Sequence, residues 1–409
     1  MSSPVYILGG VQTDFSNNWT RNNKSLFDLF SDTVLNALEA TQLDAKDVQV
    51  GHVGNFVAEL FAGQGMLGGF FGHVHPDFSG MPASRHEAAC ASGSLATLAA
   101  MADIESGRYD LACVAGIELM RNVDGEMAAD HLGAAVWRGK EAVDARYIWP
   151  RMFSDLAEVY DERYGLNYDH LMGISKINFD NGRRNPNAQS RKWQFTEKSF
   201  TADDEANPQI DGWMRRQDCG QVTDGAAVVF LASEARAKQY AEDRDIPFES
   251  LPRIKGWGHT TAPMLMETKL AESQDGGYVF PWVRKAITDA YTRAGIAGPE
   301  ELDAIETHDC FSVTEYMAIE HFGITAPGEA WKAVEDGRIA FDGSIPVNPS
   351  GGLIGLGHPV GATGVRMLLD AAKQTTGQAG DYQVEGAKTV ATYNVGGSGT
   401  TNCSFVVGV

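Results

Sequence analysis

The 409-residue sequence predicts an α/β fold of two related halves, with an inserted region in the first. Three observations predict it. Strand and helix patterns alternate along the chain. The helix-then-strand order of residues 25–56 recurs in residues 282–311, Asp47 aligning with Leu302 at an offset of 255. The strands that close the halves align Gly225 with Gly399 at an offset of only 174, so the first half holds 81 extra residues between these landmarks.

The elements follow in order. VYILGG (5–10) is a continuous apolar run, the pattern of a buried strand, and 25–42 carries apolar residues at helical spacing. Residues 47–56 read as a strand and 84–89 as extended chain. Residues 92–107 read as a helix stopped by Gly107, and 110–120 as another buried strand. The stretch 121–214 is irregular and charge-rich, the natural place for the insertion. DGAAVVFLAS (224–233) and SGTTNCSFVVG (398–408) are the Gly-led closing strands. The expected units are a core half of 1–120 plus 215–250, an inserted region of 121–214, and a second core half of 251–409.

A chain this long, 43% apolar, buries about three-quarters of its unfolded surface and needs no disulfide or metal for stability. Its five cysteines are odd in number, widely spaced and form no CxxC pair, which fits a reducing, cytoplasmic setting. The N-terminus lacks a basic segment and a long apolar run, and SFVVGV is not a peroxisomal address. No apolar stretch reaches membrane-spanning length. The net charge of −21 excludes a general nucleic-acid surface, and an anionic ligand needs a local basic patch.

Four stretches carry chemistry. EAACASGSLATLAA (87–100) places Cys90 between an extended segment and a helix, where unpaired N–H groups and the helix dipole lower a thiol pKa. Its other reading is a small buried filler. NPSGGLIGLGHPVGATG (348–364) offers His358 as a base, with four preceding glycines that permit close approach of the backbone to a ligand. ETHDCF (306–311) brings His308, Asp309 and Cys310 to a strand-to-helix junction. No second pair stands at zinc spacing, so no metal is expected. Asp309 reads as a structural carboxylate, exposed or capping the next helix. YNVGGSGT (393–400) is a Gly-rich turn whose N–H groups suit an oxyanion. His73 and His75 read as surface-loop residues.

With these stretches, the sequence resembles the thiolase family over nearly its whole length. ACASGS resembles the nucleophile segment, GHPVGATG the family's GHP loop, and CGQVTDGAAVVFLAS (219–233) the strand that closes the first half. The resemblance implies a five-layer αβαβα fold with a loop domain inserted in the first half. His308-Asp309-Cys310-Phe311 stands where most thiolases carry Asn-Glu-Ala-Phe, and Asn394 stands where they carry a cysteine. Both departures resemble the thiolases related to sterol carrier protein 2, in which the HDCF cysteine replaces the missing one. A third departure, GWGHTTAPMLMETKL (256–270), lies where thiolases have a pantetheine loop.

The resemblance implies an acyltransferase that forms or cleaves 3-ketoacyl-CoA, with coenzyme A as substrate and no cofactor. Cys90 is the implied nucleophile, His358 its base and Cys310 the proton carrier at the α-carbon. His308 and His358 stabilise the enolate, and the N–H groups of Cys90 and Gly396 form the oxyanion hole. Arg183, Arg184 and His259 are candidate CoA contacts. A homodimer or tetramer is implied, and a small partner protein in some members. The alternatives are a ketoacyl or hydroxymethylglutaryl-CoA synthase, an acetyltransferase using a non-CoA acceptor, and a non-catalytic subunit.

Overall fold

The computed structural model describes residues 3–273 and 277–409; the remaining positions, including 274–276 of the expected second half, lie outside the described residues. The first half runs β1 (Val5–Gln12), α1 (Leu26–Thr41), β2 (Val50–Gly54), β3 (Ala83–His86), α2 (Ser92–Glu105) and β4 (Leu111–Glu118). Two long helices follow, α3 (Ile148–Tyr164) and α4 (Tyr168–Gly182), before β5 (Gly225–Ser233) and α5 (Glu234–Asp243). The second half runs β6 (Arg253–Thr261), α6 (Met266–Ala271), α7 (Pro281–Ala294), β7 (Ala304–Thr307), α8 (Ser312–Phe322), α9 (Val360–Thr376), β8 (Thr389–Gly396) and β9 (Thr401–Gly408).

The duplication is visible in the strand order, β3-β2-β4-β5-β1-β6-β9-β8-β7. Read outward from the centre, β1-β5-β4-β2 and β6-β9-β8-β7 are the same series. The signs match too. β2 runs parallel to β4 while β5 is antiparallel to β4 and β1; β7 runs parallel to β8 while β9 is antiparallel to β8 and β6. The equivalent strands β1 and β6 join the halves through Val5–Ile254 and Tyr6–Arg253.

Helix α9 packs on β4 and β5 of one half and on β8 and β9 of the other, so the two halves of the sheet flank it and its neighbour α2. Helices α1 and α5 cover one outer face, and α7 with α8 the other, which gives the five layers αβαβα. The outer helices are amphipathic: α1 starts at a Ser25–Asp28 capping box and turns Leu29, Phe30, Val34 and Ala37 inward. The central pair needs small residues instead. A Cβ on Gly93 would sit 2.7 Å from the Gly361 carbonyl oxygen, and one on Gly361 only 2.5 Å from that of Ile117. The glycines of SGS and GATG therefore set how closely the nucleophile segment and the histidine segment approach.

The connection from β4 to β5 spans residues 119–224, whereas its equivalent from β8 to β9 spans only 397–400. The expected irregular stretch contains helices α3 and α4, which bury Met152, Phe153, Leu156, Tyr160, Leu171 and Ile174 in a core shared with α7 and α8. Residues 256–270, where thiolases have a pantetheine loop, comprise the end of β6, a short connection and the helix α6. Among the described residues, no helix is long and apolar enough to cross a membrane.

Candidate active site

Cys90 sits in a tight turn, Ala89–Ala91, between β3 and α2. Ala89 adopts φ 48°, a left-handed conformation that a non-glycine residue takes only under local constraint. The constraint is visible: the Ser92 hydroxyl accepts from Ala88 N–H at 2.9 Å and donates to the Ala89 carbonyl at 2.6 Å. The turn presents the thiol to a cavity of about 460 Å3. The lowered thiol pKa expected from the helix start is not what the surroundings impose. Burial first, and the Glu118 carboxylate second, push Cys90 up to about 12, against N–H donors at Cys90 itself and Gly397. The resting group is a neutral thiol, which would act as a nucleophile only with a base beside it.

His358 beside it has the character of a base. Burial, with some help from Arg366, lowers it to about 3, so the imidazole is neutral. Thr363 Oγ1 donates to the Pro359 carbonyl at 3.1 Å, which leaves it to accept from His358 Nδ1–H at 2.7 Å. Nε2, buried and without a partner among the described residues, then carries a lone pair. The backbone of His358 is fixed by Thr223, whose hydroxyl accepts from its N–H at 3.0 Å.

His308 holds the opposite tautomer. The Val395 backbone N–H points at its Nδ1 at 3.5 Å, and the Asn394 side-chain amide donates to the same atom at 3.0 Å. Asn394 is itself oriented by the Ser94 hydroxyl, 2.7 Å from Oδ1, and it also donates to the Cys90 carbonyl at 3.2 Å. Nδ1 therefore accepts, and Nε2 carries the hydrogen with no partner among the described residues. The two imidazoles meet edge to face, centroids 5.1 Å apart. The Cys90 sulfur and one ring nitrogen from each histidine all lie within 4.8 Å of one another. The same donor set has the spacing of a soft-metal site; its donors come from three separate segments, which sequence spacing could not detect.

Cys310 lines the same cavity as Cys90 and His358. Burial, then the nearby Cys90, keep its thiol protonated. The groups that oppose this shift are the Thr314 hydroxyl and the Phe311 N–H, rather than His308. Asp309 is fully buried, neither exposed nor capping α8. It accepts from Leu353 N–H at 2.5 Å, Ile354 N–H at 3.0 Å and Asn178 at 2.9 Å. It thus ties the Gly-rich loop to α4. That loop's glycines serve protein packing rather than ligand approach: a Cβ on Gly355 would lie 2.1 Å from the Asn178 carbonyl oxygen, and one on Gly351 2.7 Å from Gly182 Cα.

Residues 5–166 match the family model described as "Thiolase, N-terminal domain", and residues 266–409 match "Thiolase C-terminal domain-like". The chain belongs to the thiolase family. It is 32% identical to the acetyl-CoA acetyltransferase of Methanothermobacter thermautotrophicus, over 97% of both chains. It is 28% identical to sterol carrier protein 2 of Bos taurus, over 96% of this chain and 70% of the relative. A solved structure described as "Ltp2-ChsH2(DUF35) aldolase" shares its fold, with TM-score 0.78 and 19% identity over 100% of this chain and 98% of that one.

This thiolase is an acyltransferase, and the groups predicted from the sequence divide between the cavity wall and the surface. The amide that faces the Cys90 sulfur from the last Gly-rich turn belongs to Gly397, one residue beyond Gly396. Gly396 is required by packing, since a Cβ there would lie 2.1 Å from the Ala88 carbonyl oxygen. His259 is exposed on β6, paired with Cys403, and does not line the cavity, because 256–261 is strand. Arg183 and Arg184 are exposed off the cavity wall, with Arg184 stacked 4.1 Å from the Phe341 ring. The cation on that wall is Arg216, which sequence reasoning did not single out. Glu118 was also missed, though an acid inside the apolar run LACVAGIELM was a usable signal. It is fully buried and accepts from Phe56, Val57 and Gly361 N–H, joining the entrance of α9 to the first half.

Proposed function

We propose that this thiolase forms or cleaves 3-ketoacyl-CoA through an acyl-enzyme on Cys90. The observation that carries the reading is the meeting of one thiol and two neutral imidazoles of opposite tautomer, of which the thiol and His358 line an apolar cavity. In the first half-reaction Cys90 Sγ gives its proton to His358 Nε2 and bonds to the substrate carbonyl carbon. The developing oxyanion meets the N–H groups of Cys90 and Gly397. When the tetrahedral intermediate collapses, the bond to the leaving group breaks and the acyl group stays on sulfur. For 3-ketoacyl cleavage the leaving group is the enolate of acetyl-CoA. Its oxygen accepts from His308 Nε2–H, and its carbon takes the Cys310 proton. CoA thiol then gives its proton to the Cys310 thiolate and its sulfur bonds to the acyl carbon; the bond to Cys90 breaks, Cys90 recovers its proton from His358, and acyl-CoA leaves.

The walls support an acyl group larger than acetyl: Phe56, Leu132, Trp149, Phe153, Ile210 and Phe311 line the cavity. Arg216 is placed to meet a CoA phosphate. The reading extends to an inserted domain of residues 121–214 over two core halves, 1–120 with 215–250 and 251–409. It also extends to a cytoplasmic enzyme of acyl-lipid metabolism that binds no nucleic acid and pairs with a second copy. β3 ends the sheet and carries exposed Ala83 and Ser84, an edge suited to that pairing. The deciding experiment incubates the enzyme with acetoacetyl-CoA and measures intact mass. One acetyl adduct on the wild type and none on Cys90→Ala is expected; an adduct retained by Cys90→Ala, or none on the wild type, rejects the reading.

A further inference from the structure

Lys269, on the short helix α6, is 1% exposed, yet nothing above uses it. Burying an ammonium ion costs several kcal/mol unless its hydrogen bonds are replaced. All three of its donors are used on one short segment. Nζ donates to the Ser398 carbonyl at 3.0 Å, to Ser398 Oγ at 2.7 Å and to Thr400 Oγ1 at 2.9 Å. That segment is the β8–β9 turn, whose Gly397 N–H faces the Cys90 sulfur.

The turn needs such a clamp. Gly397 and Gly399 both adopt positive φ, 63° and 88°, and contribute no side chains to hold it. Its backbone is otherwise tied by Thr400 N–H donating to the Gly396 carbonyl at 3.1 Å, Ala262 N–H to the Thr400 carbonyl at 2.7 Å and Asn402 to the Gly399 carbonyl at 3.0 Å. Helix α6 is anchored in turn by the inserted region. Glu141 accepts from Met266 N–H at 2.8 Å and from Trp137 N–H at 3.1 Å.

We propose that Lys269 is a positioning residue for acyl transfer, holding the 397–400 turn so that the Gly397 N–H meets the oxyanion formed at Cys90. The proposal rests on the acyl-enzyme reading. Glu141 is the charged group that faces the ammonium from the inserted region, while Arg163 of α3 reaches only Leu270 and Ser273 at the end of α6. Burial outweighs Glu141 and lowers Lys269 to about 8. A neutral amine has two hydrogens for three acceptors, so the clamp loosens as the proton leaves.

The test is single-turnover acylation by acetoacetyl-CoA, followed from neutral to alkaline pH in wild type, Lys269→Met and Lys269→Arg. Thermal unfolding confirms that each variant is folded. The expected wild-type rate falls above about pH 8. Lys269→Met is expected to acylate about 100-fold more slowly at neutral pH, the size of a lost oxyanion donor, with substrate affinity nearly unchanged. Lys269→Arg, which stays charged, is expected to recover much of the rate and to lose the alkaline fall. A Lys269→Met rate equal to wild type overturns the proposal, and so does an alkaline fall that persists in Lys269→Arg. Should Lys269→Met not fold, the arginine profile decides alone. A wild type that forms no adduct at all fails earlier, at the acyl-enzyme reading itself.

Discussion

The Asn394 side-chain amide donates to Nδ1 of His308 at 3.0 Å, and that contact decides which face of the imidazole carries hydrogen toward the substrate. Asn394→Asp reverses it. A carboxylate accepts from Nδ1–H, so Nε2 loses its hydrogen and with it the ability to stabilise an enolate. Loss of such a donor costs about 3 kcal/mol of barrier, or about 100-fold in rate. Carbon–carbon cleavage should fall by this much while Cys90 still acylates from simple acyl-CoA. Equal loss in both reactions would show that Asn394 only supports the fold.

Cys310 is expected to act after the acyl group reaches Cys90. Its thiol stays protonated and lines the same cavity, so it can hand a proton to the enolate carbon. Removing a general acid typically costs about 100-fold to 10,000-fold. Cys310→Ala should therefore acylate from acetyl-CoA at a near-normal rate but lose cleavage of acetoacetyl-CoA. Intact mass reads the first step, and consumption of acetoacetyl-CoA together with the free CoA thiol reads the second. Normal turnover in this variant would assign the proton to another group.

Much of this site was legible because its chemistry resides in short local patterns. A cysteine among small residues, a histidine between glycines and a Gly-rich hairpin each left a local trace. The duplication was legible as a repeated order of elements, and the strand order of the two halves now reproduces it. What escaped depends on contacts between distant segments. Asn394 and His308 are 86 positions apart, Lys269 and Ser398 129, Glu118 and Gly361 243. The direction of the Cys90 shift escaped for a related reason. A helix start favours thiolate, but the tertiary fold buries the sulfur beside Glu118, and burial wins. Asp309 looked like a cap because capping is a local pattern; its actual partners, Leu353 and Ile354, lie on a different segment.

The buried His358 makes the fold acid-sensitive. Its ordinary value of 6.5 drops to about 3 in the folded chain, mainly through burial. Between these values the unfolded chain binds the extra proton, so stability rises with pH and is lost on acidification. At about pH 5, some 1.5 units below the unfolded value, this one group costs about 2 kcal/mol. His358→Gln cannot titrate. Its Tm should fall less than that of the wild type between about pH 7.5 and about pH 5, whatever its stability at neutral pH. An equal drop in both proteins would remove His358 from the acid response.

The last prediction separates two sources of CoA affinity on an acidic protein. Arg216 lies on the cavity wall, while Arg183 and Arg184 are exposed away from it. A charge-assisted bond to phosphate at an exposed site contributes about 1 kcal/mol, or about fivefold in binding. Arg216→Glu should therefore raise KM for acetoacetyl-CoA by about tenfold or more, since reversal adds repulsion to the lost attraction, and should leave kcat nearly unchanged. The double reversal of Arg183 and Arg184 should move KM by less than about twofold, through long-range charge that salt screens. Raising the ionic strength should then shrink the small effect of the double variant more than the large effect of Arg216→Glu. The opposite ranking would place the CoA phosphates over the end of α4 rather than at the cavity mouth.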